Sequence, residues 1–231
     1  MAFPLYLAMT AAEIRENPRL PSHFAYMACH FSPYGTGLSN PPTQLPGGSL
    51  LILNDRTPIC GHDPEVVAAQ LCRWYDSFDC CGILLDFQRS DCAETAALAA
   101  HIVETLPYPV AVSESYAAPL PCPVLLPPVP LDIPIAEYLQ SWNGREIWLE
   151  AALDAMEITL TPEGCLRIGI PQPNLEDGFF DEALHCHYRI EVQNDQARFT
   201  LFRTRADLDE LLQEAEQLGV TQAVGLWQEL I

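Results

Sequence analysis

Short apolar runs alternate with amphipathic stretches along this chain. Residues 49–53 (SLLIL) and 82–87 (GILLDF) are continuous apolar runs, the pattern of strands buried on both faces. Residues 23–31 and 109–112 also read as strands, and 5–9 as a short strand or a turn lead-in. Between them, Asp63-Pro64 joins an N-cap to a proline at the first helical position. Val67, Leu71, Trp74 and Phe78 then fall on one helical face. Asp91-Cys92-Ala93-Glu94 has the form of a capping box, with Leu98, Ile102 and Leu106 repeating every fourth residue behind it.

The second half keeps this rhythm with interruptions. Seven prolines fall between positions 119 and 134, but Val124-Leu125-Leu126 is too apolar for a solvated tether and reads as a short irregular strand. Residues 135–142 predict a helix that Asn143-Gly144 ends, and 146–149 a strand. Residues 157–170 alternate around Pro162-Glu163-Gly164, the pattern of a β-hairpin. Residues 188–192 and 197–202 predict two further strands. Thr204 caps a helix striped by Leu208, Leu211, Leu212, Ala215 and Leu218, Gly219 stops it, and 221–227 form a last strand.

Buried strands alternating with helices predict a parallel sheet covered by helices. About eight such steps favour a (β/α)8 TIM barrel as one domain over residues 1–231, near the short end of the usual ~250 residues. The hairpin at 157–170 is then an insertion. A doubly wound open sheet is the competing architecture, but no Gly-x-Gly-x-x-Gly follows any strand.

Composition narrows the chemistry. The net charge is −20, all eleven cations are Arg, and there is no lysine. Schiff-base and pyridoxal-phosphate enzymes need an amine side chain, and a Walker loop needs its Lys, so these classes are excluded. A polyanion would be repelled, which argues against nucleic acid as a partner. The nine scattered cysteines and the lack of a basic leader predict reduced thiols in a cytoplasm. No apolar run approaches the ~20 residues of a membrane helix. Nothing in the sequence calls for a cofactor, and it leaves the oligomeric state open.

In a barrel, function sits at the C-terminal ends of the strands. The polar residues there are His30, Ser32, Asn54, Asp55, Asp86, Gln88, Ser113, Glu114, Tyr116, Glu150, His185, His187, Trp227 and Gln228. Carboxylates, amides and aromatics suit a neutral, hydroxyl-rich ligand such as a saccharide. Each has a plainer reading. Asn54 and Asp55 can make an Asx-turn, and Gln88 can be a loop residue. Glu114 and Glu150 can be solvated carboxylates, and Trp227 can be a barrel-wall residue. His185 and His187 share one face of a strand, as metal ligands do, but no third ligand follows at a defensible spacing, so no metal is assigned.

The stretch Cys81-Gly82-Ile83-Leu84-Leu85-Asp86-Phe87-Gln88 resembles the third-strand signature Asp-x-x-Asp-x-Asp-x-Glu of glycoside hydrolase family 18, the chitinase-like barrels. Val224-Gly225-Leu226-Trp227 resembles that family's last strand, whose Trp floors a sugar subsite. The resemblance implies a TIM barrel with a saccharide pocket at Asp86, Gln88 and Trp227, to which the strand-end positions add Asn54 and Tyr116 as ligand contacts. It also implies a lost activity. The family's acid is the terminal Glu, and here it is Gln88, whose amide has no proton to deliver to a leaving oxygen. Two of the signature's Asp positions are Cys81 and Leu84.

Three functions follow as expectations. The first is a saccharide-binding barrel that does not hydrolyse by the family route. The second is a glycosidase using other carboxylates, Asp86 with Glu114 or Glu150, at separations of about 5–5.5 Å for retention or about 6.5–9.5 Å for inversion. The third is an interaction protein whose barrel mouth is plugged by the 32–48 loop or the 157–170 hairpin.

Overall fold

The computed structural model describes residues 3–231 apart from 18, 90, 91, 174–177 and 194. In chain order its first half comprises β1 (Leu5–Met9), α1 (Ala11–Glu16), β2 (Phe24–Phe31), β3 (Leu38–Ser39), β4 (Leu50–Asn54), α2 (Pro64–Phe78), β5 (Gly82–Asp86), α3 (Ala93–Thr105), β6 (Val110–Ser113) and α4 (Glu114–Ala117). There follow β7 (Val124–Leu126), α5 (Ile135–Leu139) running into a single 3-10 turn, and β8 (Ile147–Ala151). The remainder is β9 (Ala155–Thr161), β10 (Gly164–Gly169), β11 (Phe179–Asp181), β12 (Cys186–Gln193), β13 (Gln196–Phe202), α6 (Arg205–Gln217), β14 (Val220–Leu226) and α7 (Trp227–Leu230).

Eight of the strands pair in parallel in the order β1, β2, β4, β5, β6, β7, β8, β14, and β14 pairs back onto β1. The sheet therefore closes into the expected barrel. Leu5–Met9 is a full member of it, pairing on both edges. Of the two expectations for 5–9, a short strand or a turn lead-in, it is the strand, and counting it makes Gly82–Asp86 the fourth of the barrel rather than the third. The prolines around β7 lie outside its three residues, so the ladder loses no donor: Val124 N–H still reaches Glu146 O.

Two packed layers hold the barrel. Outward-facing strand residues such as Ile83, Leu85, Phe87 and Leu149 pack against Val67, Leu71, Leu98, Ile102, Leu208 and Leu212 of the helices. Inward-facing residues Tyr6, Ala25, Leu50, Ile52, Leu84, Leu125, Trp148 and Val224 fill the interior. Trp148 reaches across to β5, where a Cβ on Gly82 would lie 3.6 Å from its Cη2. Asp63 caps α2 by accepting from Glu65 N–H, and Thr204 with Asp207 forms a capping box on α6. The capping box expected before α3 differs. Asp91 lies outside the described residues, and Cys92 is the N-cap without a side-chain bond.

The insertion is larger than a hairpin. β9 and β10 form the expected hairpin, and β13, β12 and β11 continue it into one antiparallel sheet of five strands. Its base packs Cys186 and Leu201 onto Leu131. Arg203, 1% exposed, ties it down: Nε donates to His185 O, Nη1 to Val129 O and Nη2 to Leu184 O.

Candidate functional site at the barrel mouth

A cavity of about 940 Å3 opens at the C-terminal ends of the barrel strands. Its origin is the choice of small residues. Ala8 on β1, Ala11 and Ala12 on α1, Ala28 on β2 and Gly225 on β14 leave one wall empty, while Tyr6 and Trp148 pack the interior elsewhere. Met27, Ile52, Leu84, Leu125, Val224 and Leu226 form its apolar surface. The polar groups are Thr10, His30, Asn40, Asn54, Asp55, Arg56, Thr57, Asp86, Gln88, Arg89 and Glu150. The volume lies in the range of small-molecule sites.

Strand alternation sets which side chains enter. On β5, Leu84 and Asp86 point inward, between the outward Ile83, Leu85 and Phe87. Gln88 continues that inward series and donates its amide Nε2 to Asp86 Oδ1 at 2.5 Å. Asp55, 3% exposed, fixes the turn: Oδ1 accepts from Gln88 N–H at 3.0 Å and Oδ2 from Arg89 N–H at 2.9 Å. Arg89 returns Nε to Asp55 O and Nη2 to Arg56 O. Asn54 makes the anticipated Asx-turn, accepting from Arg56 N–H, and its amide donates to Met27 O.

Glu150 enters from β8, one step above Trp148 on the same face. Burial pushes its carboxyl up to about 7, and the charges of Asp86, Asp154 and Glu229 push the same way. Asp86 is also raised by burial. The Gln88 amide opposes that rise, and Asp55 adds to it.

Six of the residues named from the sequence therefore share the cavity: His30, Asn54, Asp55, Asp86, Gln88 and Glu150. Trp227, Tyr116 and Glu114 lie elsewhere. Trp227 begins α7 and packs against the outer core, while Leu226 takes the inward position on β14. Tyr116 is buried in the outer layer, its hydroxyl donating to Arg89 O and accepting from Cys92 N–H. Glu114 starts α4 outside the lining. Among the described residues no Phe, Tyr or Trp lines the cavity, and its apolar surface is aliphatic.

His185 and His187 belong to the insertion and not to the mouth. His185 Nε2 meets Glu214 Oε2 at 2.6 Å, and His187 Nδ1 meets Asp207 Oδ2 at 2.8 Å. Among the described residues no group of three or more His, Cys, Asp or Glu is placed to hold a metal ion. Of the two segments expected as plugs, the 32–48 loop contributes Asn40 to the rim and the 157–170 hairpin contributes nothing to the lining.

Nothing in the sequence marks Thr10 and the α1 alanines as lining, and Arg89, like Gln88, reads from it as a loop residue. The alternation from Val224 would have shown that position 226, and not 227, faces inward.

Among the described residues no helix is long and apolar enough to cross a membrane. The sequence matches no protein-family profile and no curated protein. The fold does match solved structures. A chitinase-like agglutinin from Robinia pseudoacacia aligns with a TM-score of 0.64 at 11% identity, over 98% of this chain and 95% of that one. A family 18 chitinase from Cycas revoluta aligns with a TM-score of 0.61 at 9% identity, over 99% and 96%. The spore cortex-lytic enzyme SleL of Bacillus megaterium aligns with a TM-score of 0.59 at 12% identity, over 96% and 69%. At these identities the likeness is one of fold. The closed parallel barrel of this chain is a TIM barrel of the kind found in glycoside hydrolase family 18.

Proposed function

We propose that this barrel binds a neutral saccharide in its mouth cavity and does not hydrolyse it by the family 18 route. The observation that carries this reading is Gln88 bonded to Asp86 inside the cavity, an amide where the resemblance calls for an acid. Amide, hydroxyl and carboxyl groups set among aliphatic walls can bond sugar hydroxyls and cover ring faces. One of the matched structures, a Cycas chitinase, is in complex with (GlcNAc)4, and another is in complex with allosamidin. All nine cysteines are free thiols, which supports a reducing, cytoplasmic setting. Calorimetric titration with N-acetylglucosamine oligomers, alongside a reducing-end assay, tests the proposal. Binding without release is expected. No heat at millimolar oligomer counts against the ligand class, and release that Gln88→Ala abolishes counts against the lost family activity.

A second reading, a glycosidase using Asp86 and Glu150, is favoured by their sharing one cavity and by burial pushing the Glu150 carboxyl up to about 7. Reducing ends released by the wild type, and lost in both Asp86→Asn and Glu150→Gln, would select it.

A further inference from the structure

We propose that Glu150 reads the bound ligand, donating a hydrogen bond from a neutral carboxyl to a ligand oxygen, so that binding depends on pH. The inference rests on the saccharide-binding reading and names the residue that selects the ligand.

The geometry is that of a donor left for a guest. Glu150 faces the cavity, yet its carboxyl makes no hydrogen bond or ion pair with any described residue. Its aliphatic companions Leu125, Val224 and Leu226 offer no acceptor. Two arginines, Arg56 and Arg89, line the same cavity, and neither is among the charges that act on the Glu150 carboxyl. Arg89 is bonded to the carbonyls of Asp55 and Arg56, and Arg145 to those of Ala117, Ala118, Leu120 and Cys122. Arg205 is held by Leu230 O and Asp209, and the chain has no lysine.

The charged groups that act on Glu150 are acidic on every side. They are Asp86 on β5, Asp154 after β8 and Glu229 on α7, and the Tyr138 phenol of α5 feels Glu150 in turn. The two inward carboxyls thus divide the work. Asp86, with Oδ1 stabilised by the Gln88 amide, is the acceptor for ligand hydroxyls, and Glu150 is the donor. The pairing also sets the class. An acetamide or ring oxygen, which can only accept, satisfies the donor and loses its partner when Glu150 ionises, while an anionic sugar would meet the Asp86 charge.

The test titrates N-acetylglucosamine tetramer into wild type, Glu150→Gln and Glu150→Ala at about pH 5 and about pH 9. Wild type is expected to lose roughly tenfold in affinity at the higher pH, the worth of one donor hydrogen bond. Glu150→Gln keeps a neutral donor of the same size, so its affinity stays level across that range. Glu150→Ala is weak at both. A wild type that binds equally at both pH values overturns the proposal, as does a Gln variant that keeps the wild-type drop; either leaves the saccharide reading standing. A wild type that binds at neither pH removes the saccharide reading itself.

Discussion

The side-chain amide of Gln88 lies 2.5 Å from Asp86 Oδ1, and the backbone of Gln88 is held in place by Asp55. The one inward carboxylate kept from the resembling motif is therefore engaged by a neutral donor at the place where a second acid would stand. Gln88→Glu replaces that donor with a like charge at hydrogen-bond distance. Two carboxyls this close cannot both ionise, so they share a proton and one titrates above the ordinary carboxylate range. Carbon-detected NMR titration of labelled Asp and Glu carboxyls should show one new, upward-shifted transition. A spectrum with only ordinary transitions would mean that the two groups separate in solution.

Glu150 makes stability fall with pH. Its folded value, about 7, lies above its ordinary 4.5, so between these values the native state binds more protons than the unfolded one. Stability is thus lost as pH rises through that window. Glu150→Gln removes the loss, with an upper limit of about 3 kcal/mol. Urea unfolding should show the variant more stable than wild type at about pH 8 and equal to it at about pH 4. Equal stability at both would show that Glu150 ionises freely.

Asp55 holds the backbone amides of Gln88 and Arg89 with separate oxygens. Asp55→Asn turns one acceptor into a donor facing an N–H. The expected cost is about 1.5–3 kcal/mol, with faster hydrogen exchange at the amides of Gln88 and Arg89. Unchanged exchange there would place the rigidity of the turn elsewhere.

Gly225 closes the barrel seam. A Cβ at this position would lie 2.5 Å from Ala151 O on the paired strand and 2.5 Å from Leu230 Cδ1. Gly225→Ala should lower stability by about 1–3 kcal/mol through displacement of β14, which thermal melting can measure.

Arg203 tethers the insertion through three carbonyls. Arg203→Met keeps an unbranched apolar stem but leaves those acceptors without a donor. A loss of about 2–4 kcal/mol is expected. Limited proteolysis should then cut first within residues 155–202, with the barrel surviving. Simultaneous loss of both would show that the insertion and the barrel unfold as one unit.

Local periodicity made much of this fold legible. SLLIL and GILLDF read as buried strands, and they are β4 and β5. Asp63-Pro64 and Thr204 marked helix starts that the backbone confirms. Asp86 and Gln88 fall on the same inward series because a strand repeats every second residue. The side that Trp227 faces depends on where β14 ends and α7 begins. Tyr116 reads as a mouth aromatic, but its ring is buried among outward-facing groups and its hydroxyl holds the Arg89 carbonyl.

The sequence by itself determined the alternation of strands and helices, the missing lysine and the amide at position 88. These are properties of composition and of neighbours within one turn or one strand. Tertiary structure alone decided that Glu150 joins Asp86, that Asp55 is an anchor, and that Tyr116 and Trp227 lie outside the cavity. Closing eight strands into a ring brings residues from distant parts of the chain to one mouth, and the fields and burial that set Glu150's proton exist only once that ring is closed.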